Sequence, residues 1–415
     1  MKIYHLIKFI TFNVALFLCM KIYGQSHIVY KSDIKTLQVT AGDEWQKMPV
    51  IHLGTSEQIK ISFDELSHDY HRYTYKITHC DAHWNTDELL TSDYLEGFSQ
   101  DNVIDSVENS LNTNVLYTHY NFSLPNSNCK LKMSGNYKVH IIDDESHDTV
   151  VTACFIVAEE KMKVALSATS NTDKGVNTHW QQVDMQLSYS TSGINNPQQQ
   201  IQTYLVQNNN IPQAVINAKP QYIAYGQLTW SHCNDYIFDG GNVYHKFETI
   251  DLKAITPGLD KITWDGDYYH AWLIPNEPVR NYSYDESARG SFLIRNSDYN
   301  DVTTTCDYVW VHFKLITPHI SQPVYIMAQW TQNRCLPEYE MFWNENDHCY
   351  ERSVLLKQGY YSYRYVCLQT NGSVSNLPTE GQFFQTSNKY TAIIYYRPSG
   401  ARTDLVVGTA EITFP

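Results

Sequence analysis

Polar and apolar residues alternate with a period of two along most of the chain, the pattern of strands with one buried face. "QIKISFDEL" (58–66) and "RYTYKITHC" (72–80) show it most clearly. "LKMSGNYKVHIID" (131–143) turns at Ser134-Gly135-Asn136 and resumes as a strand, and "TACFIVAEE" closes a first block near Val157. A second block opens with "KVALSAT" and "WQQVDMQLSYS", breaks at "SGINNPQQQ", and continues through "IQTYLVQNNN", "YHAWLIP" and "YVWVHFKLI". A third begins at "QPVYIMAQW", carries two strands joined at Gly359 in "SVLLKQGYYSYRYV", and ends with "KYTAIIYYR" and "DLVVGTAEITF". Helical signals are nearly absent; "TSDYLEGFSQD" (91–101) holds one short turn. Strands at this spacing, separated by polar turns, predict an all-β chain of consecutive β-sandwich domains. The expected divisions are 25–158, 159–317 and 318–415.

Composition agrees. The 32 tyrosines lean the chain toward β-structure, and 42% hydrophobic with 18% charged residues is globular. At 415 residues, two or three domains are expected. The first residues change the picture of location. Lys2 and Lys8 flank an apolar segment from Phe9 to Met20, followed by "YGQS" (23–26), so residues 1–24 read as a signal peptide cut near Gly24. An apolar run this short does not span a bilayer, and Leu18 is a poor neighbour for lipidation of Cys19. Losing Lys2, Lys8 and Lys21 moves the formal charge from −14 to −17. So acidic a surface repels phosphate backbones and anionic headgroups, which excludes nucleic acid as a partner. Eight cysteines remain in the mature chain, an even number that permits disulfides after export. Cys335 and Cys349 are the first pair to suspect; free thiols packed as small hydrophobes are the equal alternative.

The densest chemistry lies at the end of one strand. His79, Cys80, Asp81, His83 and Trp84 fall together in "YTYKITHCDAHW" (73–84). Alternation places Tyr73, Tyr75, Ile77 and His79 on one face and Thr74, Lys76, Thr78 and Cys80 on the other. His79 and Cys80 therefore point apart and cannot ligate one ion without a break between them. Asp81 fits the opening of a turn, its carboxylate bonding back to the chain, with Trp84 covering the sandwich edge. The group reads as structural, with no metal, cofactor or small-molecule substrate required. HExxH, GxSxG, Walker and GxGxxG patterns are missing. Acid–histidine neighbours such as "DYHR" and "NDH" arise by chance among 17 histidines and 44 acids. Asp143-Asp144 and Glu159-Glu160 read as solvated strand ends, not a glycosidase pair.

Several stretches together resemble one family. "YKITHCDAHW", "YTHYNFSLPN" (117–126) and "SGNYKVHI" (134–141) are similar to the first domain of type IX secretion system plug proteins. The segments at 176–210, 242–251, 270–292 and 380–408 look like the rest of such proteins, in the same order, although "YDESARGSF" departs from the family's tighter Asp-to-Gly turn. The resemblance implies a non-enzymatic accessory protein, periplasmic and peripheral to the outer membrane. Its partners would be a giant outer-membrane β-barrel translocon, whose channel mouth it blocks, and the associated secretion components. A second resemblance, of residues 324–366 to early-set (Ig-like) sandwich modules, implies an exported glycan-binding protein instead, with Trp330 and Trp343 as sugar platforms. Plain packing is the simpler role for both rings.

Overall fold

The computed structural model describes residues 27–414 and is built almost wholly of antiparallel sheets. The expected signal segment and Cys19 lie outside the described residues. The first sandwich pairs a six-stranded sheet, centred on Thr149–Ala158, Gly135–Asp143 and Tyr73–Cys80, with a four-stranded one. The second sheet runs Ile34–Ala41, Ile59–Glu65, Thr118–Leu124, Ser106–Asn109. Inward residues of both, among them Ile61, Phe63, Tyr75, Ile77, Tyr137 and Phe155, form one core. Phe63 stacks on Tyr120 at 5.1 Å and Tyr75 on Phe122 at 4.5 Å between ring centroids. This is the geometry that makes aromatic pairs worth more than their area alone. The turn expected at 134–136 falls slightly earlier, since the strand already begins at Gly135.

Pairing in the rest of the chain departs from sequence order. One sheet of a second sandwich runs Lys163–Thr169, Trp180–Ser188, Gln227–Trp230, Tyr222–Ala224. Its facing sheet runs Val215–Ile216, Ile201–Gln207, Lys389–Tyr396, Leu405–Thr413. The last two strands of the chain thus return to strands laid down nearly two hundred residues earlier. The third unit lies between these segments as an insertion. A ten-stranded sheet from His245–Glu248 to Val374–Asn376 folds over a core of Phe247, Val311, Phe313, Ile326, Tyr363 and Tyr365. A division at 317/318 runs through this sheet, between Tyr308–Leu315 and Val324–Met327. Sheet pairing therefore groups 163–239 with 389–413, and not 159–317 against 318–415. The short helix at Thr91–Tyr94 lies where the sequence places it.

Candidate functional site

Strand Tyr73–Cys80 positions the residues that the sequence singles out. Its alternation holds: Tyr73, Tyr75 and Ile77 enter the first core, and His79 follows them inward beside Tyr137, ring centroids 5.0 Å apart. His79 Nδ1 lies 2.5 Å from Asp87 Oδ2, and its Nε2 lies 3.2 Å from the Ser134 carbonyl. Thr403 Oγ1 donates to the same Asp87 oxygen at 2.6 Å. The side chains of His79 and Asp87 are 0% and 4% exposed. A histidine–aspartate–hydroxyl set sealed this completely has no room for a substrate. Cys80, on the opposite face, is a buried thiol pushed up to about 11 by desolvation, hence protonated and inert at neutral pH.

The turn that follows joins two units. Asp81 Oδ1 accepts from the backbone N–H groups of His83 and Asn85, both at 2.9 Å, which bends the chain as expected of an aspartate turn. The largely buried part of the turn, Ala82 to Trp84, then meets the second sandwich. Ala82 N–H donates to Asp404 Oδ2 at 2.9 Å, Tyr204 OH donates to the Ala82 carbonyl at 2.7 Å, and His83 Nδ1 lies 3.2 Å from that hydroxyl. Asp404 is itself clamped by Arg397, Nε to Oδ1 at 2.8 Å and Nη2 to Oδ2 at 2.6 Å. This bidentate fork fixes the carboxylate that receives the turn. Asn136 Nδ2 donates to the Asp81 carbonyl and its Oδ1 accepts from Tyr395 OH, at 2.8 and 2.9 Å. Trp84, at 4% exposure, packs with Met48, Cys154, Tyr204, Val206, Ile393, Tyr395 and Val406 in a core shared by the two sandwiches. Its expected place on a sandwich edge becomes the seam between units.

A second junction was not foreseen from sequence. Asp64 of the first sandwich accepts from Lys357 Nζ and Tyr308 OH of the third unit, each at 2.7 Å, while His119 Nδ1 lies 2.6 Å from its other oxygen. Asp64 and Lys357 side chains are both 1% exposed. Burial drives the Asp64 carboxyl upward, but the Lys357 ammonium, aided by His119, outweighs it and holds the group below its ordinary value. Nearby, Asp307 accepts from Asn114 N and Val115 N, and Tyr117 OH donates to the Thr303 and Cys306 carbonyls. The one sequence signal was Lys357, a lone cation inside the apolar run "SVLLKQGYY".

The remaining candidates settle into packing. Cys335 and Cys349 are both free thiols, so the suspected bridge between them is not formed. Cys335 instead packs near Tyr325 and Met327. Asp347, Cys349 and Glu351 are close enough to surround an ion, but Lys314 Nζ sits 3.0 and 3.1 Å from the two carboxylates and supplies the positive charge itself. Trp330 is buried in a tight turn just past the strand Val324–Met327. Tyr339 and Tyr361 pack edge-on against its ring, and its Nε1 donates to the Ser362 carbonyl. Trp343 packs on His319 and Tyr350. Trp330 therefore offers no free platform to a sugar, and Trp343 is half-buried against its neighbours. Among the described residues, no helix is long and apolar enough to cross a membrane.

These features define a multi-sandwich protein with buried polar contacts joining its units. Residues 34–159 match the family model described as type 9 secretion system plug protein 1st domain. The chain belongs to the type IX secretion system plug protein family. A crystal structure of a hypothetical protein from Parabacteroides merdae is 33% identical, with a TM-score of 0.90 over 95% of this chain and 100% of that one. The C-terminal domain of the Streptococcus pyogenes antigen I/II-family protein AspA, at 8% identity and a TM-score of 0.17 over 92% of this chain and 100% of that one, carries no argument. No curated protein matches.

Proposed function

We propose that this protein is a non-enzymatic accessory subunit of type IX secretion that binds and seals the periplasmic mouth of the outer-membrane translocon barrel. The observation that carries the reading is the joining of the family-matching sandwich to both other units. Asp404 and Trp84 hold it on one side, and Asp64–Lys357 holds it on another. A body that stops a wide channel against a concentration gradient has to resist deformation. Buried, hydrogen-bonded junctions give that stiffness, where exposed interdomain contacts would permit hinge motion. A strongly acidic surface, −14 over the whole chain, also keeps the protein off anionic headgroups while it waits at the membrane.

Deletion of the gene tests the proposal. The barrel should persist while the outer membrane becomes permeable to large antibiotics that it normally excludes, and tagged protein should co-purify with a very large barrel. A deletion strain as tight as its parent, with no barrel in the purified complex, refutes it.

A further inference from the structure

The two sides of the second sandwich are finished differently. On one side, the strands Lys163–Thr169 and Leu405–Thr413 are buttressed by the chain arriving from the first sandwich. There Glu159 N–H donates to the Val406 carbonyl, and the N–H groups of Lys161 and Met162 donate to Val407. On the other side both sheets simply stop, at Val215–Ile216 and at Tyr222–Ala224. Tyr222–Ala224 bonds to Gln227–Trp230 through one edge of its backbone and presents the other to solvent. Tyr222, Ile223 and Tyr225 are 65%, 51% and 92% exposed. Proteins normally defend such an edge with charged side chains, a bulge or a covering loop. The strand itself carries none of the first, and between Asp184 and Asp235 the sole formally charged residue is Lys219, exposed three positions before Tyr222, in a chain that is 18% charged overall.

We infer that this uncharged edge, with Tyr222, Ile223 and Tyr225 at its centre, is where the plug pairs with an extended, uncharged strand at the periplasmic rim of its outer-membrane barrel. The inference rests on the sealing role proposed above and names the surface that performs it. Charge matching selects the occupant. A charged strand laid here would lose its hydration with no counter-charge to meet it, whereas an apolar, uncharged one loses little. The outward row of backbone donors and acceptors adds the directionality of strand addition. Tyrosine and isoleucine supply the apolar anchors, in keeping with the aromatic enrichment and charge depletion of interface centres. Tyr225 is also held in place while exposed, because its hydroxyl accepts from Thr191 Oγ1 at 2.8 Å, so less freedom is lost on docking.

The test is photo-crosslinking in intact cells with p-benzoylphenylalanine placed at position 225, or at position 70 of the first sandwich, where Tyr70 is similarly exposed at 61%. Position 225 should give an adduct with the barrel and position 70 none. Ile223→Lys should lower the barrel recovered with tagged protein by about tenfold or more, as for loss of an interface hot spot. Its circular dichroism should stay unchanged, since the side chain already faces solvent. If the wild type recovers the barrel but position 225 does not crosslink, the surface is wrong and the sealing role stands. If the wild type recovers no barrel, both fail. An adduct of twice the chain mass would show a second copy on this edge and also overturn the inference.

Discussion

Removing the buried cation of the second junction should be among the most damaging single changes on the molecule. In Lys357→Met the side-chain length is kept, but Asp64 loses its only ammonium partner and is left with Tyr308 and His119. Breaking a buried pair from one side costs about 3–5 kcal/mol, because the surviving charge stays desolvated. Lys357 also gives up its bond to the Thr303 carbonyl, at 2.7 Å, and its place over the Tyr117 ring, 4.0 Å away. Asp64→Leu/Lys357→Met removes both charges. It should recover about half of the loss, the remainder being the unpaired His119 ring at about 1–3 kcal/mol. Tyr308 keeps one partner, Thr36 Oγ1 at 2.6 Å. Urea unfolding followed by tryptophan fluorescence gives the numbers. Since the pair spans two units, Lys357→Met should also split a single transition into two as the first sandwich melts separately. There is a pH signature as well. The Asp64 carboxyl is held below its ordinary value of 3.8, so its share of stability is present above that value and lost as pH falls through the lower folded one. The variant should lack that acid limb. A Lys357→Met midpoint within about 1 kcal/mol of the parent, or a double variant no better than the single, would refute the account.

Three further outcomes are expected. Trp84→Ala should cost about 3–5 kcal/mol, as for other buried aromatic truncations, measured by the same unfolding curves. Gly135→Ala should cost at least about 2 kcal/mol, from overpacking and backbone strain together. Its φ is +150°, and an added Cβ would lie 2.1 Å from His79 Nε2 on a ring that Asp87 and Ser134 hold still. His312, lowered to about 4 by burial and by neighbouring His270 and Lys261, should make wild type lose stability as pH falls from about 6.5 toward 4, because the unfolded chain takes the proton first. His312→Gln should flatten that part of a pH–midpoint profile, and equal slopes would show that the ring does not titrate as described.

What the sequence made legible was local. Period-two alternation fixed the strand Tyr73–Cys80, the sides taken by His79 and Cys80, and the role of Asp81 in the turn, because each depends only on neighbours along the chain. What it hid was non-local. Leu405–Thr413 alternates as any strand does, and nothing in that pattern says that its sheet also contains Ile201–Gln207 with a whole unit inserted between. The same limit hid the partners of the turn. Ala82 could be placed at a bend, but its acceptor, Asp404, lies 322 positions away. Asp64 occupies an ordinary position in "ISFDEL", and its burial depends on a lysine contributed from another unit. Cysteine count was equally mute, since an even number fits free thiols as well as bridges.

The junctions and the open edge bear on one another through affinity. On the sealing role proposed above, the protein has to leave when substrate arrives, so its grip cannot approach that of an obligate complex. The edge Tyr222–Ala224 is three residues long and can offer few outward backbone hydrogen bonds, each contributing about 0.5–1.5 kcal/mol net. Burying Tyr222, Ile223 and Tyr225 adds about 1.5–3 kcal/mol apiece at most. Association itself costs about 4–15 kcal/mol in lost freedom. The edge alone therefore yields weak binding, enough to register the body on the rim but not to seal it. The rest has to come from broad, low-energy contact, and only a body whose units do not shift can keep such contact in register. On that proposal, stiffness inside the molecule is what lets a short and reversible strand contact close a wide opening.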